Sequence, residues 1–222
     1  MSGSVGKEEY NDLLKACESL TKFRDHRMYD YISILFNTVV DFQLDTKVVI
    51  NAKVHYKNNH WNEIRTHADL KRILSEYPNT KKSNTLLAEY LWGYKLWSRA
   101  KFLRELVKFF EAENVRGFKS LSRWIKNAEY SDVEGKIQVR DTANGRVIHS
   151  IGPVLFEWLR LRLGEDTIKV DVHIQNFVKK EIGHLPNDEV IRTTLIKIAE
   201  KMKKKPRELD AAIWHHMRKH SQ

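Results

Sequence analysis

Residues 148–177 read IHSIGPVLFEWLRLRLGEDTIKVDVHIQNF, and the punctuation of this stretch sets two helices and the link between them. Ser150-Ile151-Gly152-Pro153 forms a tight turn, and the apolar run from Val154 to Leu163 behind it predicts a helix. Gly164 stops that helix. Thr167-Ile168-Lys169-Val170 predicts a short extended link. Asp171 then opens a second helix, where its carboxylate meets the unpaired N–H groups and the positive end of the helix dipole. The turn before Val154 offers backbone N–H groups at a helix start, the usual geometry for holding a phosphate.

Helical periodicity dominates the rest of the chain. Tyr10, Leu13, Leu14, Cys17 and Leu20 recur at helical spacing, as do Met28, Tyr31, Ile32, Leu35, Phe36 and Val39. Asp45-Thr46 caps a helix from Lys47 to Tyr56, and Thr66-His67-Ala68-Asp69 has the form of a capping box before Leu70 to Tyr77. Pro78 to Ser83 reads as a loop. Leu87 to Phe110 holds two apolar runs, and Phe118 to Ala128 a further helix with Leu121, Trp124 and Ile125 inward. The exception is Lys136 to Ile148. There the apolar residues alternate around Asn144-Gly145, which predicts a small β-hairpin. Beyond Asp171 come helices to about Ile182, from Glu189 to Met202 after a Pro186-Asn187-Asp188 cap, and from Glu208 to Arg218.

The 222 residues, 41% of them hydrophobic, are enough for a sizeable core in one or two lobes. The formal net charge of +10 points to an anionic partner, with nucleic acid and an anionic membrane surface as the two candidates. Cys17 is the single cysteine, so the chain has no internal disulfide, no four-cysteine iron–sulfur cluster and no cysteine-based zinc site. Its spacing with Leu13 and Leu14 predicts a packed thiol. No signal-peptide h-region and no run of transmembrane length occur, so an intracellular protein, cytoplasmic or nucleoid, is expected. His173 lacks a second metal ligand one turn on, where Phe177 stands, and the adjacent His215 and His216 point different ways.

The opening stretch resembles the core of the helix-hairpin-helix DNA glycosylase superfamily, the endonuclease III-like group. That family carries a hairpin of the form L-P-G-[VI]-G-x-K and, one helix and a short link later, V-D-[TV]-H-[VI]. Ile148-His149-Ser150-Ile151-Gly152 lies on the first motif, and Val170-Asp171-Val172-His173-Ile174 on the second, more specific one. Two departures stand out: Ser150 replaces the usual first glycine, and Val154 stands where bifunctional members carry the Schiff-base lysine. Weaker similarity runs upstream through Tyr90 to Phe110, where Leu91 to Lys101 resembles the family's G-[FY]-x-x-x-K-A passage, so the resemblance covers most of residues 28–185. The β-hairpin stands where the family has the first helix of its DNA-binding motif.

The resemblance implies an all-α, two-lobed helix-hairpin-helix glycosylase-like fold, to which the alternation near 136–149 adds the small β-hairpin. Residues 1–27 plus 171–222 would form one helical lobe, 28–135 a barrel lobe, and 136–170 the hairpin motif at their junction. It implies a monomer that excises a damaged or mismatched base from duplex DNA by hydrolysing the N-glycosidic bond, with no membrane role. Asp171 would be the essential carboxylate, since cleavage passes through an oxocarbenium-like state that a buried carboxylate stabilises. As an N-cap alone, Asp171 would contribute about 1 kcal/mol to its helix, and the two roles are compatible. With Val154 in the lysine's place, water is the nucleophile, the enzyme is monofunctional, and no borohydride-trapped adduct forms.

Ser150, Gly152 and Val154 would anchor the DNA backbone, with Lys95, Arg99 and Lys101 gripping it further along. Gln43 and Asn37 are the candidates for the polar wedge that fills the gap left by a flipped base. Trp92, Trp97 and Trp158 could stack an electron-poor base, although aromatics at helical spacing are more often core. No cofactor is expected beyond a monovalent cation held by hairpin carbonyls. The rival reading is a DNA-binding protein that keeps the fold without catalysis.

Overall fold

A computed structural model describes residues 5–41, 44–141 and 143–219. The protein is mostly helical, 64% of it in eleven helices among the described residues, with one small antiparallel sheet. The helices are α1 (Lys7–Glu18), α2 (Tyr31–Val40), α3 (Thr46–Asn59), α4 (His67–Glu76), α5 (Lys81–Trp92), α6 (Trp97–Ala112) and α7 (Phe118–Asn127). After a 3-10 turn at Tyr130–Asp132 come β1 (Gln138–Arg140) and β2 (Val147–Ser150), then α8 (Pro153–Leu163), α9 (Val172–Ile182), α10 (Asp188–Lys201) and α11 (Pro206–Lys219). Among the described residues no helix is long and apolar enough to cross a membrane.

Capping side chains set most of the starts. Asp30 accepts from Ser33 N at 2.7 Å, Asp45 from Lys47 N at 2.7 Å, and Asn187 from Val190 N at 2.9 Å. Thr66 and Asp69 close the expected capping box on α4. One boundary differs from the sequence reading. Pro78 to Ser83 is not a loop throughout, because Thr80 accepts from Ser83 N and starts α5 at Lys81.

The chain divides into two compact units, residues 1–27 with 157–222, and residues 28–156. Residues 136–170 therefore do not stand apart as a third segment: the division falls inside α8. In the middle unit, α5 packs on α6 and α3, and α6 also packs on α2 and both strands. Ile32, Leu35, Val39, Phe102, Leu106 and Phe110 are buried there. The β-hairpin pairs Gln138 with Ser150 and Val139 with His149, with an irregularity before Arg140.

In the other unit α9 packs against α1 and α11, and α10 against α11. Leu13, Cys17, Ile168, Val170, Ile174, Phe177, Leu195 and Ile213 share one core. Burial pushes the Cys17 thiol up to about 12, helped by Glu181 and Glu18, which makes it a packed, unreactive sulfur. The link after α8 needs a glycine. Gly164 sits at φ 86°, and a Cβ there would come within 2.8 Å of Arg27 Nε. Gly164→Ala should cost about 1–2 kcal/mol from the left-handed backbone alone, read as a lower melting temperature.

Candidate functional site

The extended link Thr167–Val170 is fixed on every side, and it delivers Asp171. Ile168 and Val170 are buried in the core of their unit. Thr167 Oγ1 donates to Glu157 Oε2 at 2.7 Å, Arg192 Nε donates to the Ile168 carbonyl at 3.3 Å, and Lys169 N donates to Asp210 Oδ1 at 2.8 Å. Upstream, Arg207 ties the turn down by donating to the Gly164 carbonyl at 2.8 Å and to Asp166 at 2.5 Å.

Asp171 caps α9. Its Oδ1 accepts from His173 N at 2.9 Å and Ile174 N at 3.2 Å, while Oδ2 pairs with the Lys169 ammonium. Both side chains are largely buried, at 10% and 15% exposure. Lys169 and Asp171 lie two apart in extended backbone, and that spacing puts their side chains on one face. The Lys169 ammonium also lies 4.6 Å from the centre of the half-buried Trp158 ring, with Arg162 at 4.4 Å from the same ring.

His26 stands edge-on to Trp158 at 4.8 Å and to Trp214 at 6.0 Å. Burial lowers its pKa to about 4, reinforced by the nearby charges of Lys169, His215 and Arg162, so the imidazole is neutral at physiological pH. Beneath Lys169, the fully buried Asp210 has its pKa raised to about 7 by desolvation, with Asp171 and Glu157 adding to the rise and Lys169 opposing it. A fixed carboxylate, an ammonium, a neutral imidazole and an aromatic face thus belong to one neighbourhood. The carboxylate can stabilise a developing cation, the ammonium can stabilise a developing anion, and the neutral imidazole can orient water.

The other sequence candidates fall in the middle unit. Ser150 ends β2. Gly152 has no left-handed φ, and a Cβ there would meet nothing, so packing within the chain does not dictate glycine. Val154, 44% exposed, lies in the first turn of α8. Lys95 is exposed and 3.8 Å from Glu89, and Lys101 is half-buried on α6. Arg99 cannot grip a backbone. It is 3% exposed, and its guanidinium donates to the Val39 carbonyl at 3.2 Å. Arg99→Ala should lower stability by about 2–3 kcal/mol, seen in denaturant unfolding, and leave the DNA affinity of the folded protein unchanged.

Asn37 cannot act as a wedge either. It is buried in mid-helix and donates to its own helix's Ser33 carbonyl at 2.6 Å. Gln43 lies outside the described residues. Trp92 is core at 1% exposure, and Trp97 is half-buried with Lys81 Nζ 5.2 Å from its ring centre.

At the hairpin, β2 ends at Ser150, and the Gly152 carbonyl accepts from Phe156 N at 3.0 Å. Among the described residues no group of three or more His, Cys, Asp or Glu side chains is arranged to hold a metal.

A family model matches residues 96–218, more than half of the chain. The chain belongs to the family described as Domain of unknown function (DUF8548). No curated protein and no solved structure matches it. The matched segment of this DUF8548 member holds Trp158, Lys169, Asp171, Asp210 and Trp214, and leaves out His26 and α2 to α5.

Sequence reasoning missed Lys169, His26 and Asp210. The two-residue spacing of Lys169 and Asp171 in an extended link was a usable signal for the first. Asp210 and His26 reach the site only through tertiary packing, which leaves no local pattern.

Proposed function

We propose that the chain is a monofunctional DNA N-glycosylase that removes a damaged or mismatched base from duplex DNA, with Asp171 as the essential carboxylate. The observation that carries this reading is the holding of Asp171. Two backbone N–H groups fix one oxygen, and the other faces the Lys169 ammonium beside Trp158. A carboxylate so fixed needs no reorganisation to stabilise positive charge developing on a deoxyribose as its base departs. Water then adds to the sugar carbon, and the departing base takes up a proton.

Lys169 supports hydrolysis over covalent chemistry, because an ammonium held in an ion pair has no lone pair to offer to C1′. Its charge suits an anionic leaving base or a phosphate. Gly152 leaves space for the backbone of a partner to approach the first turn of α8. The reading takes the protein as a monomer that meets DNA inside the cell, within the helix-hairpin-helix glycosylase superfamily. The first arm of that family's hairpin motif is here a strand.

The second reading, a DNA-binding protein without catalysis, draws on the same ion pair, since Lys169 already occupies the second oxygen of Asp171. Incubation with duplexes carrying uracil, alkylated purines, oxidised purines or mismatches, followed by alkali, separates the two. Strand breaks after alkali on one class of substrate are expected. Intact strands throughout, with DNA binding retained, would establish the second reading.

A further inference from the structure

The middle unit holds an aromatic cavity of about 350 Å³, bordered by α2, α3 and α5. Phe36, Tyr56, Trp61 and Trp92 line it. Phe36 stands edge-on to Tyr56 at 4.6 Å and to Trp92 at 5.7 Å, and Tyr56 stands edge-on to Trp61 at 6.1 Å. Rings that pack edge to face hold one another in orientation, so stacking a further ring on them needs little new ordering. The Tyr56 hydroxyl donates to the Ile64 carbonyl at 2.8 Å, and its hydrogen is therefore committed within the protein.

One polar group among the lining residues has hydrogen-bonding capacity that the protein does not use. Trp92, 1% exposed, has its indole N–H closed off from a water-sized molecule, so it forms packed wall and offers no donor to the cavity. Asn37 donates its amide hydrogen to Ser33, and among the described residues its Oδ1 accepts nothing. Lys53 and Lys57 add positive charge. Lys53 is paired with Asp41 at 2.7 Å, whereas the exposed Lys57 enters no ion pair among the described residues.

We propose that this cavity binds a nucleobase carrying a phosphate, with the ring stacked on Trp61 over a floor of Phe36 and Tyr56, its polar edge at Asn37, and the phosphate near Lys57. A hydrocarbon ring would leave Asn37 unanswered, and a bare anion would leave the Trp61 face unused. A heteroaromatic ring offers a donor to Asn37 Oδ1, and the phosphate matches the free lysine. The ligand is either a free nucleotide or a nucleotide within a single strand. The proposal does not rest on the Asp171 reading, since the two share no residue.

Calorimetric titration of the full chain tests this, using thymidine and deoxyadenosine monophosphates, their nucleosides, inorganic phosphate and a short oligothymidylate. Nucleotide binding should weaken about tenfold or more in Trp61→Ala and return in Trp61→Phe, which keeps a stacking face and controls for folding. Lys57→Gln should remove the advantage of nucleotide over nucleoside. Oligothymidylate binding much tighter than the mononucleotide, and equally sensitive to Trp61→Ala, assigns the site to single strands. Equal affinities assign it to free nucleotides. Inorganic phosphate binding as tightly as nucleotide, binding indifferent to Trp61→Ala, or no binding of any nucleotide or oligonucleotide would overturn the proposal.

Discussion

Asp171→Asn is expected to lose base release by about 10²–10³-fold or more, the effect of removing one preorganised charged or polar group from a developing charge. The folded structure should survive. Asparagine caps a helix about as well as aspartate, and its carbonyl oxygen can still accept from His173 N and Ile174 N. What disappears is the charge, together with the ion pair to Lys169.

Asp171→Ala removes the cap as well. It should cost about 1–2 kcal/mol for the lost cap, with an added cost for a buried ammonium left without its partner. The pair of variants separates chemistry from architecture. Equal loss of excision in both, with the larger fall in melting temperature in alanine, assigns the loss to the charge. Excision is read as alkali-developed strand breaks under single-turnover conditions, and DNA binding as fluorescence anisotropy. Full excision by Asp171→Asn would sink the glycosylase reading.

The fold was legible because its signals are local. Capping residues such as Asp45, Thr66 and Asn187 stand at the starts of the helices they cap, and the alternation around Asn144-Gly145 announces the two strands. Asp171 was legible for the same reason, since a capping carboxylate after an extended link leaves a pattern in the sequence. Arg99 was misread because an arginine beside aromatics looks alike whether it faces solvent or a buried carbonyl, and only the position of Val39 decides. Asn37 failed similarly: a polar residue one turn from a helix end suggests a tip, yet it is turned inward. Asp210, near the other end of the chain from His26, was beyond reach. Its place beneath Lys169 depends on how α11 packs, and no periodicity encodes that.

Asp210→Asn is expected to stabilise the protein above neutral pH and to change little near pH 4. The buried carboxyl has its pKa raised from 3.8 to about 7 in the fold. Between those values the folded chain holds a proton that the unfolded chain has released, so this group's contribution falls as pH rises from about 4 to 7 and stays low above. His26 and His149 act in the opposite sense. Burial lowers each from 6.5 to about 4, so their contribution is present above pH 6.5 and is lost as pH falls toward 4.

The wild-type pH profile is a balance of these trends, and the difference between wild type and variant isolates Asp210. Asparagine keeps an acceptor for Lys169 N and carries no charge to desolvate. The gain at pH 8 is on the order of 4 kcal/mol at most, the equivalent of the full pKa shift, reduced by whatever the new amide N–H groups leave unsatisfied. Urea unfolding at pH 4.5 and pH 8 measures it, and a difference that does not change with pH would refute the account. The fold carries this burden because Asp210 holds the backbone of Lys169, whose side chain in turn holds Asp171. A positioning group that is costly when ionised is expected where a site, rather than stability, sets the sequence.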